Sequence, residues 1–209
     1  MPQADQQQLV RLDDRLSAAI RLAHAAMRSA TAALLGPAAV IEGARATDDA
    51  LHRLAAELDA HAAALRAGTD PPEADDLRAV VAGVPISTDV ESMGELARLV
   101  GDIARSRWDR PPAPARLHAA VAATARSCLD TIAATADAME SVNPAAVAEA
   151  VRIGTQTGRL REALDRRLLS GGIDVRTAID LTLVGRCYER GAGRAVAVAR
   201  HVAFLAELR

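Results

Sequence analysis

The chain has 209 residues, with 25 basic against 27 acidic side chains and a formal charge of −2, which leaves no electrostatic footprint for nucleic acid. Every basic residue is an arginine, so chemistry that needs a Schiff-base or phosphate-loop lysine is excluded. Half of the residues are hydrophobic, yet there is one Trp, one Tyr and one Phe; the core must come from Leu, Val, Ile, Met and Ala, a composition that favours closely approaching helices.

Residues 4–35 place Leu9, Leu12, Leu16, Ile20, Ala23, Met27, Ala30 and Leu34 along one helical stripe, long enough for a bundle helix. Gly36-Pro37 stops that helix and opens a second, which runs to about Arg66 with Val40, Ile41, Leu51, Leu54 and Leu58. The loop 67–75, with Pro71-Pro72, is a clear break. A third helix spans Asp76–Arg107 and carries Glu91 and Glu95 four residues apart, so both carboxylates stack on one face. That face lies opposite Met93, Ala97, Val100 and Ala104, and the apolar side switches near Pro85, where a helix usually bends. The stretch 107–115, RWDRPPAPA, reads as a linker dividing 1–110 from 111–209. A fourth helix, 114–141, aligns Leu117, Val121, Ala125, Cys128, Ile132, Ala136 and Met139. Asn143-Pro144 opens a fifth that runs to Leu169, Gly171-Gly172 ends it, and a sixth over 173–207 carries Val184, Tyr188, Ala195, Val198, Val202 and Leu205. No strand pattern is present. The expected fold is all-α, six helices in two tandem, pseudo-symmetric three-helix bundles that each bury their own stripes.

The two portions repeat one another. Asp76-Leu77-Arg78 is echoed by Asp174-Val175-Arg176, and a glutamate follows fifteen positions later in each copy, Glu91 and Glu189. Upstream, Pro37-Ala38-Ala39-Val40-x-Glu42 matches Pro144-Ala145-Ala146-Val147-x-Glu149. Two anchors in one order mark a duplicated unit.

Cys128 and Cys187 sit on apolar stripes, as small buried hydrophobes of a reducing compartment do. Asp76 and Asp174 open helices and read as N-caps. The five histidines form no metal-binding spacing, and no nucleophile triad, glycine-rich phosphate loop or acid–base pair can be made out. The sequence carries no run long enough to span a membrane and no secretory leader, so a cytoplasmic, non-enzymatic protein is expected.

Asp76-Leu77-Arg78 followed by Asp89-Val90-Glu91-Ser92-Met93-Gly94-Glu95-Leu96-Ala97, together with Asp180-Leu181-Thr182-Leu183-Val184-Gly185-Arg186-Cys187-Tyr188-Glu189-Arg190, resembles the paired acidic motifs of the PhoU family in its actinobacterial form. The resemblance covers almost the whole chain. It implies a cytosolic regulator that couples the ATPase of a phosphate ABC transporter to a sensor histidine kinase, represses the phosphate-starvation response, self-associates as a homodimer and meets the membrane only through partners. It also implies a divalent metal ion (iron, zinc or magnesium) in the first half, held by Asp49, His52, Glu91 and Glu95, which offer oxygen and imidazole ligands. A solvated acidic face paired with Arg98 is the other reading of Glu91 and Glu95. In the second half Glu189 is kept, but Gly193 stands where the second acid belongs, and Gln156 and Arg159 take the second-helix positions; that site is expected to be empty. The alternative is a divergent paralogue, a metal-binding or scaffolding helical protein outside phosphate control.

Overall fold

The computed structural model describes residues 2–36, 56, 74–107, 110, 113–141 and 143–207. They form five helices: α1 (Pro2–Leu35), α2 (Ala74–Ser106), α3 (Ala115–Ser141), α4 (Pro144–Leu169) and α5 (Val175–Glu207). No strand occurs among the described residues. The second helix expected over 37–66 lies outside them apart from Ala56, which is helical, so the count of five is of the described residues alone.

Local chemistry sets the ends. The Asn143 side chain accepts from the Ala145 amide at 2.9 Å and Pro144 follows at the first helical position, so α4 begins there. Gly171 and Gly172 turn the chain at φ 84° and 82°, the left-handed region that favours glycine, and so end α4. Asp174 caps α5 as expected, accepting from the Thr177 amide at 2.9 Å; the Thr177 hydroxyl and amide hold its carboxyl below the usual range. Pro85 lies inside α2, which continues through it, and the Ser87 and Thr88 hydroxyls both donate to the Val84 carbonyl at 2.9 and 3.0 Å.

The predicted stripes are the core. Leu16, Ile20, Met27, Met93, Val100, Leu117, Cys128, Ile132, Val184, Tyr188 and Val198 are all buried. They do not separate into two interiors, because residues of all five helices join one cluster. α1 packs on α2 and α3, α5 packs on α2, α3 and α4, and α3 packs on α4. The equivalent helices of the two repeats lie against each other and run antiparallel. His118 meets the Leu35 carbonyl at 3.1 Å while Arg21 pairs with Glu140, so α3 descends as α1 rises. Likewise Arg107 meets Thr177 at 3.4 Å while Asp89 meets Arg194 at 2.8 Å, so α5 descends as α2 rises.

A polar row runs through this interior. Thr124, Thr131 and Thr135 on α3 are fully buried, each donating back to the carbonyl four residues earlier, and Thr135 also lies within hydrogen-bond distance of the Ala195 carbonyl at 3.1 Å. Ser127 and Thr157 share a bond of 2.8 Å between α3 and α4. Such back-bonding lets hydroxyls sit where a methyl would without an orphaned donor. Burial pushes the Cys128 thiol up to about 12 and raises that of Cys187; both are free.

His24 gives the fold a pH dependence. Burial, then the Arg28 charge, holds its pKa below 6.5, with Asp130 pulling the other way. The unfolded chain therefore takes up a proton at a pH where folded His24 stays neutral. Its contribution to stability is fully present above the ordinary histidine range and is lost as pH falls below it. Urea midpoints measured between pH 8 and pH 5 are expected to fall less steeply in His24→Gln than in the parent chain.

Candidate functional site

The acidic motif of the first repeat lies on α2. Its Val90, Met93 and Ala97 face the core, so Glu91 and Glu95, one turn apart, are directed away from it; Glu91 is half-buried and Glu95 exposed. This is the arrangement that the spacing predicts. Asp49 and His52, the other two members of the expected ligand set, lie outside the described residues. Among the described residues no group of three or more His, Cys, Asp or Glu side chains could hold a metal ion.

The second repeat differs in a way the motif comparison misses. Glu189 on α5 is half-buried, and what reaches it from α4 is Arg161, with Nε 3.1 Å from Oε1. Gln156 and Arg159, the positions obtained by counting from Pro144, are both exposed. The Arg161 side chain is only 13% exposed and also pairs with Asp165 one turn along its own helix. Arg186 approaches the other Glu189 oxygen at 3.6 Å. Burial opposes the Arg161 charge, but the bonds and charges of Asp165 and Glu189 outweigh it and raise its pKa. Gly185 borders the Arg161 stem closely, and Gly158 borders Glu189 at ordinary contact distance. A Cβ on Gly185 would sit 3.4 Å from Arg161 Cγ, and one on Gly158 would sit 3.7 Å from Glu189 Oε1. A divalent ion does not fit these residues, because a fixed cation already occupies the space between the two carboxylates. In this arrangement Arg161 neutralises Glu189 and Asp165 from within.

Arg161→Met keeps the stem and deletes the charge. It is expected to cost about 2 kcal/mol, because Glu189 and Asp165 then repel in a half-buried pocket, a loss discounted for their partial exposure. A second change, Glu189→Gln, is expected to restore part of it. Urea unfolding of both single variants and the double variant measures the coupling.

Two further ion clusters tie the acidic motifs to other parts of the chain. Asp89, in the motif of α2, is buried and pairs with Arg194 of α5 at 2.8 Å. Asp180, in the motif of α5, accepts from Arg107 at 3.2 Å and from Arg110 at 2.7 Å, at the end of α2 and in the connector beyond it. Each motif therefore supplies one acid that holds the opposite repeat in place.

No family model matches the chain. It is 33% identical to the phosphate-specific transport system accessory protein PhoU homolog 2 of Mycobacterium bovis, over 99% of this chain and 98% of that protein. It is also 33% identical to PhoU homolog 1 of Mycobacterium leprae, over 99% of this chain and 94% of that one. Among solved structures, PhoU from Pseudomonas aeruginosa superposes with a TM-score of 0.74 at 17% identity over the full length of both chains. The phosphate transport system regulatory protein PhoU from Streptococcus pneumoniae superposes with a TM-score of 0.78 at 16% identity over 96% of each. The fold, the doubled acidic motif and these near full-length relatives agree: the chain belongs to the PhoU family.

Proposed function

We propose that this protein is a non-enzymatic accessory regulator of phosphate transport. In this reading it works in the cytoplasm as an adaptor, in contact with the ATPase of a phosphate ABC transporter and with a sensor histidine kinase, and it self-associates as a dimer. It represses the phosphate-starvation response and limits uptake when phosphate is plentiful. The observation that carries this reading is the near end-to-end likeness, 99% of this chain against 98% of the relative, to a protein named as an accessory of phosphate-specific transport. The absence of any helix long and apolar enough to cross a membrane among the described residues agrees with it. A strain lacking the gene should express phosphate-starvation genes in phosphate-rich medium, and the chain supplied in trans should restore repression. Unchanged expression and uptake in the deletion strain would overturn the reading.

A second reading is favoured by the stacked pair Glu91 and Glu95. In it the first repeat holds a divalent ion, iron, zinc or magnesium, with Asp49 and His52 completing the ligand set. Elemental analysis of purified protein should then find metal that Glu91→Ala loses. Metal-free protein that still represses in the deletion strain would rule this out. The Arg161 arrangement in the second repeat supports the remaining alternative, a divergent paralogue that scaffolds outside phosphate control. Transcript profiling of the same deletion strain separates that from the first reading.

A further inference from the structure

One face of α5 packs against no other helix among the described residues. Val175, Ile179, Leu183, Arg186 and Arg190 follow one another at steps of four, four, three and four residues and so form a single line along the helix. All five are exposed, with Val175 76%, Ile179 54% and Leu183 45% accessible. Leu169, across the Gly171-Gly172 turn, is exposed as well. The line spans about 22 Å at the helical rise of 1.5 Å per residue. Its charge is local and unbalanced. Arg190 and the neighbouring Arg176 have no acidic partner among the described residues. Among the described residues Arg186 reaches Glu189 alone, at 3.6 Å, which Arg161 already holds. In a chain of net charge −2, this is a basic segment with an apolar segment laid end to end before it.

That order selects the occupant. A membrane-surface helix carries its basic residues beside the apolar stripe, so that both meet the interface together; here they are separated along the axis, and a flat surface cannot serve both ends. A second copy of this chain fits no better. Related by a twofold axis across the helix, the copies would run antiparallel and lay arginines on Val175 and Ile179. Related by an axis along it, they would run parallel and set Arg186 and Arg190 against their own copies. We propose that this face docks an amphipathic helix of a partner protein about four turns long, apolar over one half and acidic over the other. The proposal rests on the adaptor reading for its biological sense, but the binding it describes is independent of which pathway is served.

The test uses two fluorescein-labelled synthetic helices identical except in charge. Each carries Leu at three positions of one half, with Glu in the other half of the first and Lys in the other half of the second. Fluorescence anisotropy with the full chain at low salt is expected to show the Glu helix binding about tenfold tighter than the Lys helix, with the difference shrinking as salt is added. Arg186→Glu/Arg190→Glu is expected to invert that preference. Ile179→Ser/Leu183→Ser is expected to weaken the Glu helix about tenfold. All four positions are exposed, and thermal melts of both variants should match the parent. Equal affinity for the two helices, or affinity that neither double variant changes, would overturn the proposal. So would vesicles of phosphatidylglycerol captured by the parent chain and released by Ile179→Ser/Leu183→Ser, or a dimer in sedimentation that the same variant dissolves. The deletion-strain phenotype is read separately, so a failed docking face leaves the phosphate reading standing and the reverse also holds.

Discussion

Replacing Tyr188 with alanine is expected to lower the free energy of unfolding by about 4 kcal/mol. Tyr188 is fully buried on α5, and its hydroxyl lies 3.0 Å from that of Thr31 on α1, which in turn donates to the Met27 carbonyl at 2.7 Å. The ring therefore fills the space where one repeat meets the other, and among the described residues it is the one buried aromatic, Phe204 farther along α5 being exposed. Ala192 and Ala195, one and two turns on along the same buried face of α5, are small, and alanines have no rotamers with which to collapse into the gap. Burial raises the phenol pKa, so the hydroxyl stays protonated across the working range. Tyr188→Phe keeps the ring and removes only the bond to Thr31, whose hydroxyl retains Met27; its cost is expected to be about 1 kcal/mol. Urea unfolding of the two variants separates volume from hydrogen bonding. A loss for Tyr188→Ala near that of Tyr188→Phe would mean that α1 does not close over α5.

The second large effect is expected at Asp180. Its carboxylate is 14% exposed and neutralises two arginines, Arg107 at 10% and Arg110 at 23% exposure. Asp180→Ala leaves two like charges confined together with no other acidic partner among the described residues, and the expected cost is about 3 kcal/mol. Asp180→Asn keeps an acceptor for one arginine and should lose less. Because the cluster is largely buried, salt should recover little of the loss, in contrast with an exposed pair such as Arg152 and Glu149. Denaturation of both variants at low and high salt checks this. Full recovery of Asp180→Ala by salt would place the cluster in solvent.

Much of this architecture is legible in the residue order. The three- and four-residue steps of Leu117 to Met139 and of Val184 to Val202 mark buried faces, and each of those side chains is buried. Glu91 and Glu95 fall away from the core because Met93 and Ala97 fall toward it. Asp174 reads as a cap and is one. What periodicity hides is the partner of each element. The stripes predict helices with an apolar side, and two self-contained bundles satisfy them as well as the single shared core that forms. Thr124, Thr131 and Thr135 escape because a polar residue counts against burial unless its back-bond is anticipated. Arg161 escapes for a different reason. It sits in the charged run Arg159-Leu160-Arg161-Glu162, which looks like a solvated face, and the register counted from Pro144 points to its neighbours instead. The available signal is slight, a glycine at 185 where a Cβ would crowd Leu164 at 3.1 Å and meet Arg161 Cγ at 3.4 Å. Asp89 and Asp180 stand in quoted motifs, but the arginines that answer them lie more than sixty residues away in the chain.

Met93 and Gly191 occupy the same place in the two copies, as the shared offset from Asp76 and Asp174 shows. The first is a full side chain in the core; the second has none and leaves little room for one, because a Cβ at Gly191 would come within 3.3 Å of Cys128 Sγ and 3.4 Å of Met27 Cε. A side chain as large as Met93 therefore cannot stand at Gly191 without displacing Cys128 or Met27, and the two copies are no longer interchangeable at this position.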